Sequence, residues 1–179
     1  MTRRLVNFLD LESTGLNEPD ERIIEHCSMI FDLDTEAHVD TKVWRVNPLR
    51  KIGAKAQKVH GIKLDDLAAE PTWDVVAPAI AGTIQPVEMV VAHNGYDFDF
   101  PFLDREFRRV GVMCAFPKRF DTMVEGRWAT GNGKLPRLGE LARCLDVDYD
   151  PAAAHAAEYD VTVMAKCFFE GRRLGFFAA

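Results

Sequence analysis

The sequence predicts an α/β fold: a mixed five-stranded sheet, three strands antiparallel and then helix and strand in alternation, with helices on both faces. Two observations carry this expectation. Three apolar-rich runs succeed one another across turn-forming links before Pro48, and consecutive strands with short links pair most economically in antiparallel fashion. Beyond Pro48 the apolar spacing becomes helical and alternates with short apolar runs, the pattern of helices laid on a sheet.

In chain order, residues 5–11 (LVNFLDL), 22–33 (RIIEHCSMIFDL) and 41–47 (TKVWRVN) read as the three strands, linked at Gly15, Asn17, Pro19 and Asp34. Helices follow over 54–60 and 73–83, the second led by Thr72 as a capping residue. Residues 87–92 (VEMVVA) are almost wholly apolar, which suits a strand buried on both faces. Residues 99–110 read as a helix with Phe100, Leu103 and Phe107 on one stripe and Gly111 as its stop. A short strand at 119–123 and helices over 137–145 and 157–172 complete the set; in the last, Val161, Met164, Ala165 and Phe168 follow the spacing of a buried face. Residues 130–136 (TGNGKLP) read as a mobile loop, not a boundary.

A chain of 179 residues suits one domain, 1–179, and 47% hydrophobic residues exclude a wholly disordered one. The net charge of −6 argues against a uniformly positive, nucleic-acid-gripping surface. Cys27, Cys114, Cys144 and Cys167 form no C-x-x-C pair, which speaks against a zinc knuckle or redox dithiol and for reduced core thiols. The apolar run Leu5–Leu9 is too short for a signal peptide or membrane span, so a cytoplasmic location is expected.

Carboxylates mark the candidate site. Asp10 and Glu12 stand two apart at the end of the first strand and so share one face. Adjacent carboxylates repel and gain by sharing a cation, although such pairs also occur as solvated acids. Asp99 opens a helix just after the strand ending Ala92-His93-Asn94-Gly95. There it either serves the helix dipole, as Asp97 could equally, or faces Asp10 across the strands' carboxyl ends, where open α/β sheets bind ligands. His155 precedes Asp160 by five residues, roughly 140° apart on a continuous helix. They can meet at one site only if Asp160 lies inside the helix and His155 at or before its start, where a near-neutral imidazole can act as a general base.

The segments FLDLESTGL (Phe8–Leu16), AHNGYDFDFPFL (Ala92–Leu103) and HAAEYDV (His155–Val161), with VHGI (Val59–Ile62) and FDT (Phe120–Thr122) between them, resemble in content and order the DEDDh 3′–5′ exonucleases of the ribonuclease H-like superfamily. That group includes the ε subunit of bacterial DNA polymerase III and the TREX enzymes, and the resemblance runs from residue 5 to about 172. In the ε type the second-motif acid falls four residues after the Asn, a position held here by Phe98. The longer TREX-type spacing matches His93-Asn94-Gly95 followed by Asp99-Phe100-Pro101, which selects Asp99 and leaves Asp97 as a loop acid. The proline-rich insertion of TREX enzymes is missing.

The resemblance implies a ribonuclease H-like fold and hydrolysis of phosphodiester bonds at the 3′ end of single-stranded DNA, releasing nucleoside 5′-monophosphates. It implies two divalent cations, Mg²⁺ or Mn²⁺, held by Asp10, Glu12, Asp99 and Asp160, with His155 deprotonating water. Leu11, Thr14, Gly15 and Leu16 would line the terminal nucleotide, Leu16 either as a wedge against a base or packed under its turn. His60 would approach a phosphate or sugar, or cap its own helix; Asn94 would hydrogen-bond at the site edge. Lys51, Lys55 and Lys58 would share one helix face, as a phosphate track or as an ordinary solvated face.

The expected partners are single-stranded DNA or RNA 3′ ends and a polymerase or a second copy of the chain, with no membrane. The alternatives are an exoribonuclease like ribonuclease T or oligoribonuclease, and a non-catalytic nucleic-acid-binding module. Phe168, Phe169, Phe176 and Phe177 make an aromatic tail that hints at a partner surface, though Phe168 suits the core.

Overall fold

The computed structural model describes residues 3–16 and 19–178; Asn17, assigned above to the first link, lies outside the described residues. The predicted mixed sheet is present, in the order β3-β2-β1-β4-β5. Strands β1 (Leu5–Ser13), β2 (Ile23–Asp32) and β3 (His38–Arg45) form an antiparallel meander. Strands β4 (Met89–Ala92) and β5 (Lys118–Asp121) then run parallel to β1. Among the described residues six α-helices follow the predicted order: α1 (Ala54–His60), α2 (Trp73–Ile84), α3 (Asp99–Arg109), α4 (Thr122–Glu125), α5 (Leu138–Cys144) and α6 (Ala157–Arg173), of which only the short α4 was not expected.

The alternation along β1 sorts its residues between two apolar layers. Leu9 and Leu11 face α2 and α3, packing with Trp73, Ile80, Phe100 and Phe107. Val6 and Phe8 face α5 and α6, packing with Leu141, Val161, Met164 and Phe168. Asp10 and Glu12 continue the Val6–Phe8 side, so the pleat aims both acids toward α6. Strand β4 is buried throughout and pairs Val6 with Met89 and Phe8 with Val91, so the carboxyl ends of β1 and β4 lie side by side.

Several boundaries shift for identifiable reasons. Strand β3 starts at His38, three residues earlier than expected, because Asp32 Oδ1 accepts the Asp34 and Thr35 N–H groups and tightens the turn before it. Strand β5 stops at Asp121, short of the expected 123, because Asp121 Oδ1 accepts from Met123 N and Val124 N and starts α4. Thr72 occupies the cap position of α2, but its side chain makes no capping hydrogen bond. All four cysteines are free; Cys27 and Cys167 are core residues, whereas Cys114 is half-buried and Cys144 exposed, which corrects the expectation that all are core thiols. Among the described residues no helix is long and apolar enough to cross a membrane.

The tail is also corrected. Phe169 and Phe177 are buried with Phe168, and Phe176 alone is about half exposed, stacked on Trp128 at 4.2 Å. Phe177 packs edge-on to Phe120 at 5.3 Å and presses so closely on α6 that a Cβ at Gly171 would lie 2.4 Å from its ring. The aromatic tail is therefore mostly core and not a partner surface. Phe177→Ala should cost about 3–5 kcal/mol in urea unfolding, with Phe176→Ala costing much less; equal small losses would show that the tail does not pack.

Candidate active site

Three elements bring the acids together. β1 supplies Asp10 and Glu12, the first turn of α3 supplies Asp99, and the first turn of α6 supplies Asp160. Asp99 is 1% exposed whereas Asp97 is a surface residue, so the structure separates the two candidates as the spacing did. Burial is the main cause that raises Asp10 well above the ordinary carboxylate range, followed by the charges of Asp99, Glu12, Asp160 and Glu25. Burial likewise pushes Glu12 up to about 8, aided by Asp160, Glu25 and Asp99. Asp99 is raised by burial and by Asp121, partly offset by hydrogen bonding to backbone, including that of Leu11. Asp160 is raised by burial, partly offset by His155.

Glu25, which sequence reasoning missed, adds a further carboxylate opposite Glu12 in the β1–β2 register and pairs with Arg45 at 3.0 Å. Only the strand register, invisible in a single sequence, places it there.

His155 stands two residues before α6 with a left-handed backbone, φ 67°, and its N–H donates to Asp160 Oδ2 at 2.9 Å. This meets the condition set by the five-residue spacing: Asp160 inside the helix, the imidazole ahead of it. A cavity of about 340 Å³ is lined by Asp10, Asp160, His155, His93, Arg137 and Tyr149 among others. A second, of about 420 Å³, opens between the end of β1 and α1, with Glu12 at its edge and Leu16, Val59 and Phe98 among its apolar walls. A larger cavity, about 610 Å³, lies over Phe31, Val147 and Phe169 and touches none of the four acids.

The other candidate residues divide between the walls and the scaffold. Leu16 is 73% exposed and does not pack under its turn. Leu11 is buried among apolar side chains, which leaves only its backbone at the site. Thr14 is fully buried; its hydroxyl donates to Glu21 and accepts from Arg22 N, closing the loop after β1. Gly15 allows that closure, since a Cβ there would lie 2.5 Å from the Glu21 carboxylate.

His60 caps its own turn, Nδ1 accepting from Ile62 N, while the buried Nε2 has no partner among the described residues and burial holds the imidazole below the usual histidine range. Asn94 acts through its backbone, a left-handed residue at φ 70° whose N–H donates to Asp121 Oδ1 at 3.0 Å; no side-chain hydrogen bond is seen among the described residues. Lys51 precedes α1 and does not share its face; Lys55 and Lys58 do, and Lys55 lines the apolar cavity.

Asp121 is the scaffold residue that the motifs under-reported. Its two oxygens accept from Asn94, Tyr96, Met123 and Val124 N–H groups, clamping the turn that leads to Asp99. Asp is a favoured N-cap residue, but this role is visible only once the start of α4 at Thr122 is known. His93 supports the same turn. Burial lowers its pKa to about 4, so it is neutral; Nε2–H donates to Pro136 O at 3.1 Å and Nδ1 accepts from the Thr122 hydroxyl at 2.9 Å.

Among the described residues no three His, Cys, Asp or Glu side chains already form a cluster that could hold a metal ion. The donor set nonetheless fits hard cations. Asp99 Oδ1 is buried without a hydrogen-bond partner, and four carboxylates share a region where burial disfavours their charge. Oxygen donors of this kind match Mg²⁺ or Mn²⁺.

Comparison with known proteins identifies the family and the fold. The chain is 27% identical over 162 residues to the PolC-type DNA polymerase III of Ureaplasma parvum, a match covering 90% of this chain but 11% of that protein. It is 29% identical over 196 residues to human Three prime repair exonuclease 2, covering 90% and 80% of the two chains. In structure it resembles the zinc-bound Escherichia coli ExoI–ssDNA complex with a TM-score of 0.83 at 17% identity, over 97% of this chain and 41% of that one. The RNase_T family profile, described as Exonuclease, matches residues 8–168, and the chain belongs to that family.

Proposed function

We propose that this chain is a metal-dependent 3′–5′ exonuclease that removes nucleoside 5′-monophosphates from the 3′ end of single-stranded DNA. The observation that carries this reading is that Glu12 lines an apolar cavity, Asp10 and Asp160 line the cavity that contains His155, and the buried Asp99 is close enough for its charge to raise Asp10. The names of the relatives, a DNA polymerase and a three prime repair exonuclease, support it, as does the likeness to an exonuclease bound to single-stranded DNA.

Asp10, Glu12, Asp99 and Asp160 would hold the two divalent cations. When bound, these supply Lewis acidity toward the phosphodiester and a lowered pKa for water. The chain's own residues do the rest. The His155 imidazole takes the proton of the attacking water, its position tied to Asp160 by the His155 N–H. Leu16, Val59 and Phe98 receive the terminal base through apolar contact, which favours no particular base. Lys55, at the rim of that cavity, offers charge to a phosphate oxygen.

The purified protein with Mg²⁺ or Mn²⁺ should shorten a 5′-labelled single strand stepwise from its 3′ end. Asp10→Ala and Asp99→Ala should remove this activity, and activity surviving in both would defeat the assignment. His155→Ala should lower turnover by about 10²–10⁴-fold while leaving strand binding largely intact. Matched DNA and RNA strands in the same assay separate the DNA reading from the exoribonuclease alternative.

The raised carboxylates also set a pH dependence. Glu12, at about 8 when folded against an ordinary 4.5, holds more proton in the folded state across that interval, and Asp10, Asp99 and Asp160 shift in the same direction. Between pH 6.5 and 8, where His26, His60 and His93, all lowered by burial, no longer titrate, stability without metal therefore falls as pH rises. Thermal melts should show this decline in chelator and its reversal on adding Mg²⁺. A metal-free melting temperature that rose over the same interval would contradict the electrostatic account.

A further inference from the structure

Arg137 is placed where a residue of its kind is not expected. It occupies the cap position of α5, with extended backbone angles and no side-chain capping hydrogen bond. Cap positions favour Ser, Thr, Asp or Asn because their oxygens accept from the first turn, and a guanidinium has no acceptor. Part of the lost capping is supplied by Glu140, whose Oε2 accepts the Arg137 N–H at 2.7 Å. The Arg137 side chain is thereby left free for another task.

Its surroundings indicate the task. Among the described residues Arg137 is the only lysine or arginine lining the 340 Å³ cavity that contains Asp10, Asp160 and His155. Nearby Lys134 is paired with Glu140 at 3.0 Å, whereas Arg137 has no ion pair among the described residues. Its backbone is held in register with the acids, because the carbonyl of the preceding Pro136 accepts from His93, in the turn between β4 and Asp99. An exposed guanidinium at the wall of the site, with its backbone tied and its side chain in no ion pair or capping bond among the described residues, fits an anion carried by the substrate. The planar guanidinium fork matches the oxygens of a phosphate.

We propose that Arg137 is a substrate-positioning residue that holds a phosphate oxygen of the bound strand on the His155 side of the acids. This rests on the nuclease reading above. The residue sacrifices a helix cap for that contact, and the sacrifice gives the test its discriminating power.

Arg137→Ser and Arg137→Lys in the full chain, assayed with Mg²⁺ and a 5′-labelled oligothymidine, separate positioning from structure. Arg137→Ser restores a good cap, so its melting temperature should hold or rise, while KM should increase roughly tenfold with kcat little changed. The slope of log KM against log salt should shrink by about 0.7, the share of one single-strand phosphate contact. Arg137→Lys should recover that slope. Wild-type KM and salt slope in Arg137→Ser would overturn the inference and leave the nuclease reading standing. So would a lowered melting temperature with kinetic losses that Lys does not rescue. A wild-type protein that neither binds nor shortens the strand would fail the nuclease reading itself, and this inference with it.

Discussion

Repulsion among carboxylates that the fold withdraws from water is the constraint on which the arrangement of this protein depends. Asp10, Glu12, Asp99 and Asp160 each sit where burial disfavours charge, and Asp10 feels the other three. Left to themselves such groups separate or take up protons. They stay together because each is attached to an element with its own reasons to be there. β1 is locked between β2 and β4, α3 is buried along its Phe100–Phe107 stripe, and α6 packs Phe168 and Phe169 edge-on to Phe8 of β1. The sheet and its two apolar layers supply the free energy that holds the acids in place.

The local scaffold works by hydrogen bonding backbone to side chain, which fixes direction even though the Asp121 carboxylate adds its own charge near Asp99. Asp121 holds the turn before Asp99 through the Asn94 and Tyr96 N–H groups and the start of α4 through those of Met123 and Val124, and the His155 N–H fastens Asp160. On the far side of α3, the fully buried Glu106 is matched by Arg109 at 2.9 Å and approached by Arg22 at 3.9 Å. Arg22 N in turn donates to Thr14, so the loop after β1 is tied to the helix that bears Asp99. Left-handed backbone at Asn94 and His155 is strain placed where the chain must turn sharply beside the acids.

Much of this could be read from the residues. The two-residue spacing of Asp10 and Glu12 and the geometrical impossibility of His155 and Asp160 sharing a helix face both describe local periodicity, and local periodicity survives folding unchanged. What could not be read depends on register or on distant packing. Glu25 meets Glu12 through a β-pairing register, and Phe177 meets Gly171 through the return of the tail onto α6. Lys51 was assigned to a helix face by spacing alone, but α1 begins at Ala54, just after Gly53 donates its N–H to Thr14 O. Tertiary hydrogen bonding there decides where the helix starts. Arg137 was legible as a residue and not as an anomaly, because its cap position is visible only once the start of α5 is known.

The net charge of −6 takes on a different meaning in this setting. Residues 1–100 carry 10 basic and 17 acidic side chains, net −7, and residues 101–179 carry 12 and 11, net +1. Three of the four site acids belong to the acidic part. An anionic strand approaching those acids unaided would be repelled, and the few cations at the walls, Lys55 on one side and Arg137 on the other, are too sparse to reverse the local field. Two divalent cations would contribute a charge of about +4 in a confined, weakly screened space. Under the proposed function, cation and strand therefore bind cooperatively, and the acidity that argues against a general nucleic-acid-binding surface confines strand binding to the metal-loaded site.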